Sequence, residues 1–414
     1  MKKIGILTHH RVCNFGAQLQ ATSTVGFLKR KGYEPIVINW YPKDLDDMYQ
    51  KRVSKEQYAY HIHFTEENMP LTGLCQTEDE LVEVLNENNL DAIILGSDAL
   101  FRFLPKSERK MFSKQKLRIV EKPFASDQVL EGNPFWGSFI PKLETEIPVA
   151  VFSVSSQNSQ YTKVNKQEFS LLETSLRRFK YITVRDEWTK ELVQYFIGNT
   201  EVPVTPDPVF SFNQNTYLPI LSKQEIIEKY NLPNKYILLS FRNKNISDDF
   251  VKEIGATLIM NGYNPVAFPH PEGLKDYGFA HKIPMPLMPM DWYYLIKYSD
   301  GYIGERMHPI IVSLHNAVPF FCFDEYGTIE KRIPYTNKFG KYLRESSKIY
   351  HILSKIGLLD NIISIKKDMK KITSQEVVEK LLSIDKQQLM DFSKRQQESY
   401  EKGMNKLLEN LNLQ

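Results

Sequence analysis

Cysteine is nearly absent: Cys13, Cys75 and Cys322 are all that 414 residues contain, and they lie far apart. Such sparse thiols exclude a disulfide-stapled secreted scaffold and a cysteine metal cluster, and they read as reduced, buried side chains. No stretch approaches the roughly 20 apolar residues that a membrane-spanning helix needs, so any membrane contact would be peripheral. An excess of either charge is also missing. The 53 Lys and Arg against 50 Asp and Glu leave a formal charge of +3, too little to imply a nucleic-acid partner. The opening Met1-Lys2-Lys3-Ile4-Gly5-Ile6-Leu7 lacks the long apolar run and small-residue cleavage site of a signal peptide, and a cytoplasmic protein is expected. The phosphate loop, G-x-G-x-x-G, H-E-x-x-H and the nucleophile elbow are absent, and the carboxylates are too scattered to nominate a glycosidase pair. No metal site is expected either. Tyr58-Ala59-Tyr60-His61-Ile62-His63 offers histidines at i and i+2 without acidic partners, and reads as one face of a strand.

What is present is the patterning of a soluble α/β protein. With 42% hydrophobic and 25% charged residues the composition is ordinary for a globular chain, and the length implies two domains. Lys3 to Leu7 reads as a strand, Asn14 as the N-cap of a helix running to about Lys31, and Pro35 to Trp40 as the next strand; together they form a parallel strand-helix-strand unit. Further strands are expected at Ala92 to Leu95, Val149 to Val154, Tyr181 to Val184 and Pro203 to Pro208, with helices at Lys166 to Arg178 and Glu187 to Phe196. A second α/β pattern starts near Lys235: strand Tyr236 to Phe241, helix Asp248 to Asn261, strand Pro265 to Phe268, helix Met290 to Lys297 and strand Gly301 to Ile303. Phe212 to Ile220 is the linker candidate between two halves of similar design. Polar, weakly periodic residues at about 43–78 read as an insertion, and about 104–136, with Phe135-Trp136, as a flap over the first domain. Beyond Ser374 the chain is charged and amphipathic and ends in a long helix that packs back across the first domain.

In open parallel sheets ligands sit outside the carboxyl ends of the strands, so polar residues there take priority. Asn14, Gly16 and Gln18 follow the first strand; they suit a ligand, or a plain helix cap with a packing glycine. Gly96-Ser97-Asp98 follows the third, and Asp98 can orient an acceptor hydroxyl, act as a base or cap a helix. Ser155, within the hydroxyl-rich Ser153 to Gln157, can line a phosphate or form a turn. Arg185 leaves the end of Tyr181 to Val184, where its fork can hold an anion or pair with Asp186, Glu187 or another neighbour. Arg242 and His270 occupy corresponding places in the second half. The most informative stretch is Ser299 to His315, a strand, a glycine turn and a helix start bearing Arg306-Met307-His308. The free N–H groups of a helix start, a guanidinium and an imidazole together favour a phosphorylated, carboxylated ligand. A satisfied core histidine is the plainer alternative for His308.

Taken in order, Asn14-Phe15-Gly16-Ala17-Gln18-Leu19-Gln20, Gly96-Ser97-Asp98, Val184-Arg185-Asp186 with Asp207-Pro208-Val209-Phe210, and Arg306-Met307-His308 with Ser313-Leu314 and Pro319-Phe320 resemble the polysaccharide pyruvyl transferase family. The resemblance implies two Rossmann-like domains facing across a cleft, as in GT-B glycosyltransferases. The acceptor side would be 1–212, with the two insertions. The donor side would be 213–384, and the returning helix 385–414. It implies transfer of the enolpyruvyl unit of phosphoenolpyruvate to a sugar, no cofactor beyond that donor, and closure of a cyclic pyruvate ketal. Arg185 and Arg306 would then hold the donor's carboxylate and phosphate, with Met307 beside them. His308 would act as general acid, and Asp98 would hold or deprotonate the acceptor. The family usually has phenylalanine and glycine where this chain has Met307 and Pro309; Pro309 is expected at the first helical position. A lipid-linked acceptor, peripheral contact with the inner face of a membrane and a homo-oligomer stay open. The rival readings are a glycosyltransferase using a nucleotide sugar, for which Glu305 and Glu325 are poor ribose ligands, and a non-catalytic relative that only binds.

Overall fold

The computed structural model describes residues 1–113, 117–122, 124–157, 159–324, 347–365 and 369–413. Short apolar runs bounded by glycine and polar turns form the strands, in chain order β1 (Lys3–Leu7), β2 (Glu34–Val37), β3 (Ala92–Leu95), β4 (Lys110–Ser113), β5 (Arg118–Glu121), β6 (Val149–Val154), β7 (Tyr181–Val184), β8 (Tyr236–Ser240), β9 (Asn264–Ala267), β10 (His281–Lys282), β11 (Gly301–Gly304), β12 (Phe320–Asp324) and β13 (Ile362–Ser364). The first half is a parallel sheet in the order β2-β1-β3-β6-β7, and the second a parallel sheet in the order β10-β9-β8-β11-β12-β13. Both are Rossmann-like, and their central strands are buried on both faces, which is why β3 is continuously apolar and β6 is apolar but for Ser153.

The helices of the first half are α1 (Phe15–Arg30), α2 (Lys43–Arg52), α3 (Lys55–Asn68), α4 (Glu78–Glu87), α5 (Lys166–Arg177) and α6 (Glu187–Ile197). In the second half follow α7 (Phe212–Asn215), α8 (Lys223–Tyr230), α9 (Asp248–Met260), α10 (Pro289–Lys297), α11 (Met307–His315), α12 (Lys348–Ile356), α13 (Ser374–Leu382) and α14 (Lys386–Asn410). With 25 residues, α14 spans about 37 Å. That length lets Leu389 and Phe392 join the core of the second half while Tyr400, Met404 and Leu407 pack with Ile4, Phe27 and Phe152 of the first.

Several expectations need correction. Residues 43–78 are not irregular: they hold α2, α3 and the start of α4, each with a cap or a polar outer face that hid its period. The Tyr58 to His63 stretch lies in α3 rather than a strand, which turns His61 inward and leaves His63 exposed, since residues two apart in a helix do not share a face. Pro203 to Pro208 makes only a single bridge, Val184 with Val204, before a 3-10 turn at Pro208–Ser211, because its prolines cannot donate to a ladder. Phe135 and Trp136 are core rather than flap, Trp136 stacking on Phe101 at 4.4 Å between centroids. The proposed linker is packed: Phe212 and Asn215 are buried, and Tyr294 donates to the Pro219 carbonyl at 2.7 Å.

The halves are tied together beside their facing carboxyl edges. The Gln57 side chain on α3 pairs with the Leu287 backbone in both directions, at 2.9 and 2.7 Å. Phe15 of α1 stacks on Trp292 of α10 at 5.3 Å.

Candidate active site

Between the two edges lies a cavity of about 330 Å³, reached by Asn14, Asp98 and Gln157 of the first half and His270, Trp292, Arg306, Met307, His308 and Lys348 of the second. Asn14 caps α1, its side chain accepting from the N–H groups of Gly16 and Ala17 at 3.1 and 3.4 Å. Gly16 lies against the opposite wall. A methyl group on its Cα would stand 2.0 Å from Cγ and 2.1 Å from Nδ1 of His308. The bare backbone of α1 is therefore what lets the imidazole of the second half reach the first.

Asp207 is the hub that the ring meets. Its Oδ2 accepts from Gln20 Nε2 at 2.5 Å and Arg185 Nη1 at 2.6 Å, and its Oδ1 from the Val209 N–H at 3.0 Å. His308 Nε2 stands 3.8 Å from the same Oδ2 and has no hydrogen-bond partner. Arg185 thus gives one donor to Asp207, with Asp98 3.7 Å from its Nη2, while its Nε and Nη2 are buried without a hydrogen-bond partner. The ion pair is made with Asp207 rather than with Asp186 or Glu187, and two donors of the guanidinium stay open. Asp98 accepts the Ala99 N–H at 2.7 Å. Burial alone would raise its carboxyl, but Arg185, with Lys348, His9 and His308 behind it, outweighs burial and holds it at about 2. So acidic a carboxylate is a hydrogen-bond acceptor that orients hydroxyls and a weak base.

On the other wall, α11 starts at Met307 after Arg306, which has φ +76 and makes no side-chain cap. Such a backbone is sparsely populated by non-glycine residues and costs on the order of 1–3 kcal/mol. Pro309 sits third in the helix and not first; its missing N–H costs nothing there, since first-turn donors have no partner within the helix. His308 is 9% exposed. Burial lowers its pKa against the pull of Asp207 and Asp98, with Arg185 and Lys348 lowering it further. An anion entering beside the ring would pull its pKa back up. Arg306 does not point along His308 but donates to Glu272 at 2.8 Å, and Arg242 Nη1 lies 2.8 Å from the other oxygen of that carboxylate.

Of the other expected site residues, Gln18, Ser97 and Ser155 lie outside the cavity. Gln18 is fully buried, bonding the His61 carbonyl at 2.8 Å and Thr65 at 2.9 Å and accepting from His61 Nδ1 at 2.6 Å, so it holds α3 and not a ligand. Ser97 is buried and donates to the Ser153 carbonyl at 2.6 Å. Ser155 is buried and its hydroxyl accepts from the Gln157 N–H at 3.1 Å. Both serines shape the strand ends under the cavity. His270, 4% exposed, shares a 3.2 Å hydrogen bond with Ser240 and is depressed to about 3 by burial and by Arg306. Met307 lines the cavity. Lys348 and Trp292 also line the cavity and stand in no sequence motif, and Asp207 stands out in the sequence only as part of Asp207-Pro208-Val209-Phe210. Lys348 heads α12, and burial with Arg185 brings its pKa down to about 8 although Asp98, Asp186 and Asp207 oppose the shift. No local pattern marks it; only the fold carries α12 to the cavity.

No group of three or more His, Cys, Asp or Glu among the described residues is placed to hold a metal ion, and no described helix is long and apolar enough to cross a membrane. A family model described as polysaccharide pyruvyl transferase matches residues 14–325. No curated protein matches the sequence. Among solved structures the chain is similar to UDP-GlcNAc 2-epimerase from Methanocaldococcus jannaschii, with TM-score 0.55 and 12% identity over 99% of this chain and 100% of that one. It is also similar to MnaA of S. aureus in a co-structure with UDP, with TM-score 0.52 and 12% identity over 100% and 98%. A third likeness is to UDP-N-acetylglucosamine 2-epimerase from Rickettsia bellii, with TM-score 0.53 and 10% identity over 100% and 97%. At such identities these likenesses concern the fold, two Rossmann-like domains of GT-B type.

Proposed function

This chain belongs to the polysaccharide pyruvyl transferase family, and on that premise we propose that it moves the enolpyruvyl unit of phosphoenolpyruvate onto a sugar of a polysaccharide precursor, closes a cyclic pyruvate ketal and releases phosphate. The observation that carries this reading is His308: it protrudes from the start of α11 across the cleft, its Nε2 lacks a hydrogen-bond partner, and Asp207 waits at 3.8 Å. A donor with about three negative charges entering beside it raises the imidazole pKa and makes it an imidazolium. His308 then protonates the methylene carbon of the donor while a sugar hydroxyl, held by Asp98, attacks C2 and passes its proton to that carboxylate, from which it returns to the imidazole after the turnover. The C2–O bond to phosphate breaks with its electron pair going to phosphate. A second hydroxyl adds at C2, its proton leaves with the phosphate, and the ketal closes.

The charge of the cavity is polarised in support of this division. Asp98 and Asp207 on the first half are balanced by Arg185 and Lys348, a nearly neutral end suited to sugar hydroxyls. Arg306 and Arg242 on the second half, joined by Arg52 of the first, outnumber Glu272 and Glu305, and that end suits an anion. Trp292 adds an apolar wall against which a sugar ring can rest. For a nucleotide-sugar donor, Glu305 is a poor ribose ligand, because its Oε2 already accepts the backbone N–H groups of Arg242 and Asn243; Glu325 lies outside the described residues.

The test offers phosphoenolpyruvate with a mixture of lipid-linked and nucleotide-linked saccharides and follows phosphate release and acceptor mass. Phosphate release with a matching mass gain supports the reading. No release with any acceptor sinks it, and sugar transfer from a nucleotide donor would establish the rival.

A further inference from the structure

Three guanidinium groups gather on one carboxylate at the rim of the cavity. Arg306 donates to Oε1 of Glu272 at 2.8 Å, Arg52 Nη2 lies 3.0 Å from the same oxygen, and Arg242 Nη1 lies 2.8 Å from Oε2. Arg242 and Arg306 follow β8 and β11 of the second half, whereas Arg52 ends α2 and comes from the first.

As an ion pair the group is unfinished. Glu272 is ionised: burial would raise its pKa, but Arg306 and then Arg242 hold it at about 2. Glu272 with Glu305, which sits on the Arg242 backbone N–H, leaves one positive charge among the three cations. A guanidinium carries five donors, yet a single hydrogen bond of good geometry, that of Arg306, reaches the carboxylate, and Oε2 has no hydrogen-bond partner in spite of Arg242 nearby. The carboxylate is 6% exposed, whereas the arginine side chains are 41–51% exposed. Solvent therefore reaches the cations, and Arg306 with Pro271 opens onto the cavity. A latch between halves would need one guanidinium docked fork to fork. Three underused forks, that of Arg306 on the cavity itself, have donors to offer a second anion.

We propose that Arg52, Arg242 and Arg306 form a cradle for an anionic group of the donor, a carboxylate or phosphate, and that Glu272 is the resident counter-ion that yields guanidinium donors when the donor enters. The proposal rests on the reading of the donor as phosphoenolpyruvate. It adds to Arg185, two of whose donors stay open, and gives the 43–78 insertion a part in donor binding. Because Arg52 belongs to the first half, the bound anion joins the two halves.

The experiment measures binding of phosphoenolpyruvate to the full chain by calorimetry, with inorganic phosphate and pyruvate as separate probes. Arg52→Ala is expected to weaken phosphoenolpyruvate binding about ten-fold, and Arg52→Lys to recover only part of the loss because it lacks the fork. Glu272→Gln is expected to tighten binding several-fold and to steepen its salt dependence, since a competing carboxylate is gone. Loss of inorganic phosphate binding in Arg52→Ala assigns the phosphoryl group to the cradle, and loss of pyruvate binding assigns the carboxylate. Unchanged binding in Arg52→Ala, or weaker binding in a Glu272→Gln protein that still unfolds cooperatively, overturns the cradle and leaves the donor reading standing. A wild-type chain that binds no phosphoenolpyruvate overturns both.

Discussion

Gly16→Ala separates the catalytic placement of His308 from ordinary stability. Alanine in a helix is normally better than glycine by about 0.8–1.0 kcal/mol, and Gly16 is the second residue of α1. Here the added methyl would lie 2.0 Å from Cγ, 2.1 Å from Nδ1 and 2.5 Å from Cβ of His308. Carbon atoms in contact prefer about 3.5–4.0 Å, so the ring must retreat by about 1.5 Å or the halves must part. Overpacking of this kind costs about 1–3 kcal/mol, and after the helix gain the net loss of stability is about 0–2 kcal/mol. A misplacement of about 1 Å at a reacting group costs on the order of 100-fold in rate, or about 2.7 kcal/mol. Turnover should therefore fall much more than stability. Phosphate release at saturating donor and acceptor reads the first, and denaturant titration the second. In a His308→Ala background the contacts at 2.0 and 2.1 Å vanish and only the one at Cβ stays, so adding Gly16→Ala should cost little further rate. A Gly16→Ala protein that keeps kcat within about three-fold of the parent would refute the placement of His308 in the chemistry.

Asp207→Asn should destabilise by about 3–5 kcal/mol because it strands the buried Arg185, whereas Arg306→Ala, at a side chain 41% exposed, should change stability by about 0–1 kcal/mol while abolishing activity; denaturant titration beside the phosphate assay distinguishes them, and equal stability losses would contradict the assignment. Lys348→Met should lower kcat/KM at least about ten-fold, and the wild-type rate should decline as pH rises through about 8, with that alkaline limb gone in the variant; an unchanged limb would remove Lys348 from the reaction. His61, His270 and His315 are each depressed to about 3, mainly by burial. Their unfolded forms take up protons first, so stability should be lost as pH falls from about 6.5 toward 3, by up to about 1.4 kcal/mol per pH unit for each ring; a flat stability between pH 7 and 5 would contradict their burial as neutral groups. Glu272 and Asp98, both held at about 2, contribute stability above their usual ranges that is lost as pH falls from about 5 toward 2. Glu272→Gln should flatten that acid limb, and an unchanged limb would argue against its ionised pairing.

The strands at Lys3–Leu7, Ala92–Leu95, Val149–Val154 and Tyr181–Val184 could be read residue for residue, because a strand buried on both faces has to be a short apolar run between turns. The insertion was harder: α2 and α3 carry so few buried positions, Leu45 in one and Gln57, His61, Phe64 and Thr65 in the other, that no apolar stripe announces them. In the site, Asn14 and Gly16 were legible as cap and close-approach glycine, but the object of that approach was not, since His308 lies 292 residues further on.

The sequence by itself determined two α/β halves, the polar residues that end their strands, and the arginine-histidine element at the start of α11. Those features are written in local periodicity and turn chemistry, which one stretch of chain decides alone. Only the tertiary structure decided what each charge faces. Arg185 turned to Asp207, Gln18 to His61 and Arg306 to Glu272, and Lys348 and Arg52 arrived from segments without a motif. A buried or crowded charge is paired by whatever the fold brings within a few ångströms, and that distance is set by packing between halves that no local pattern records.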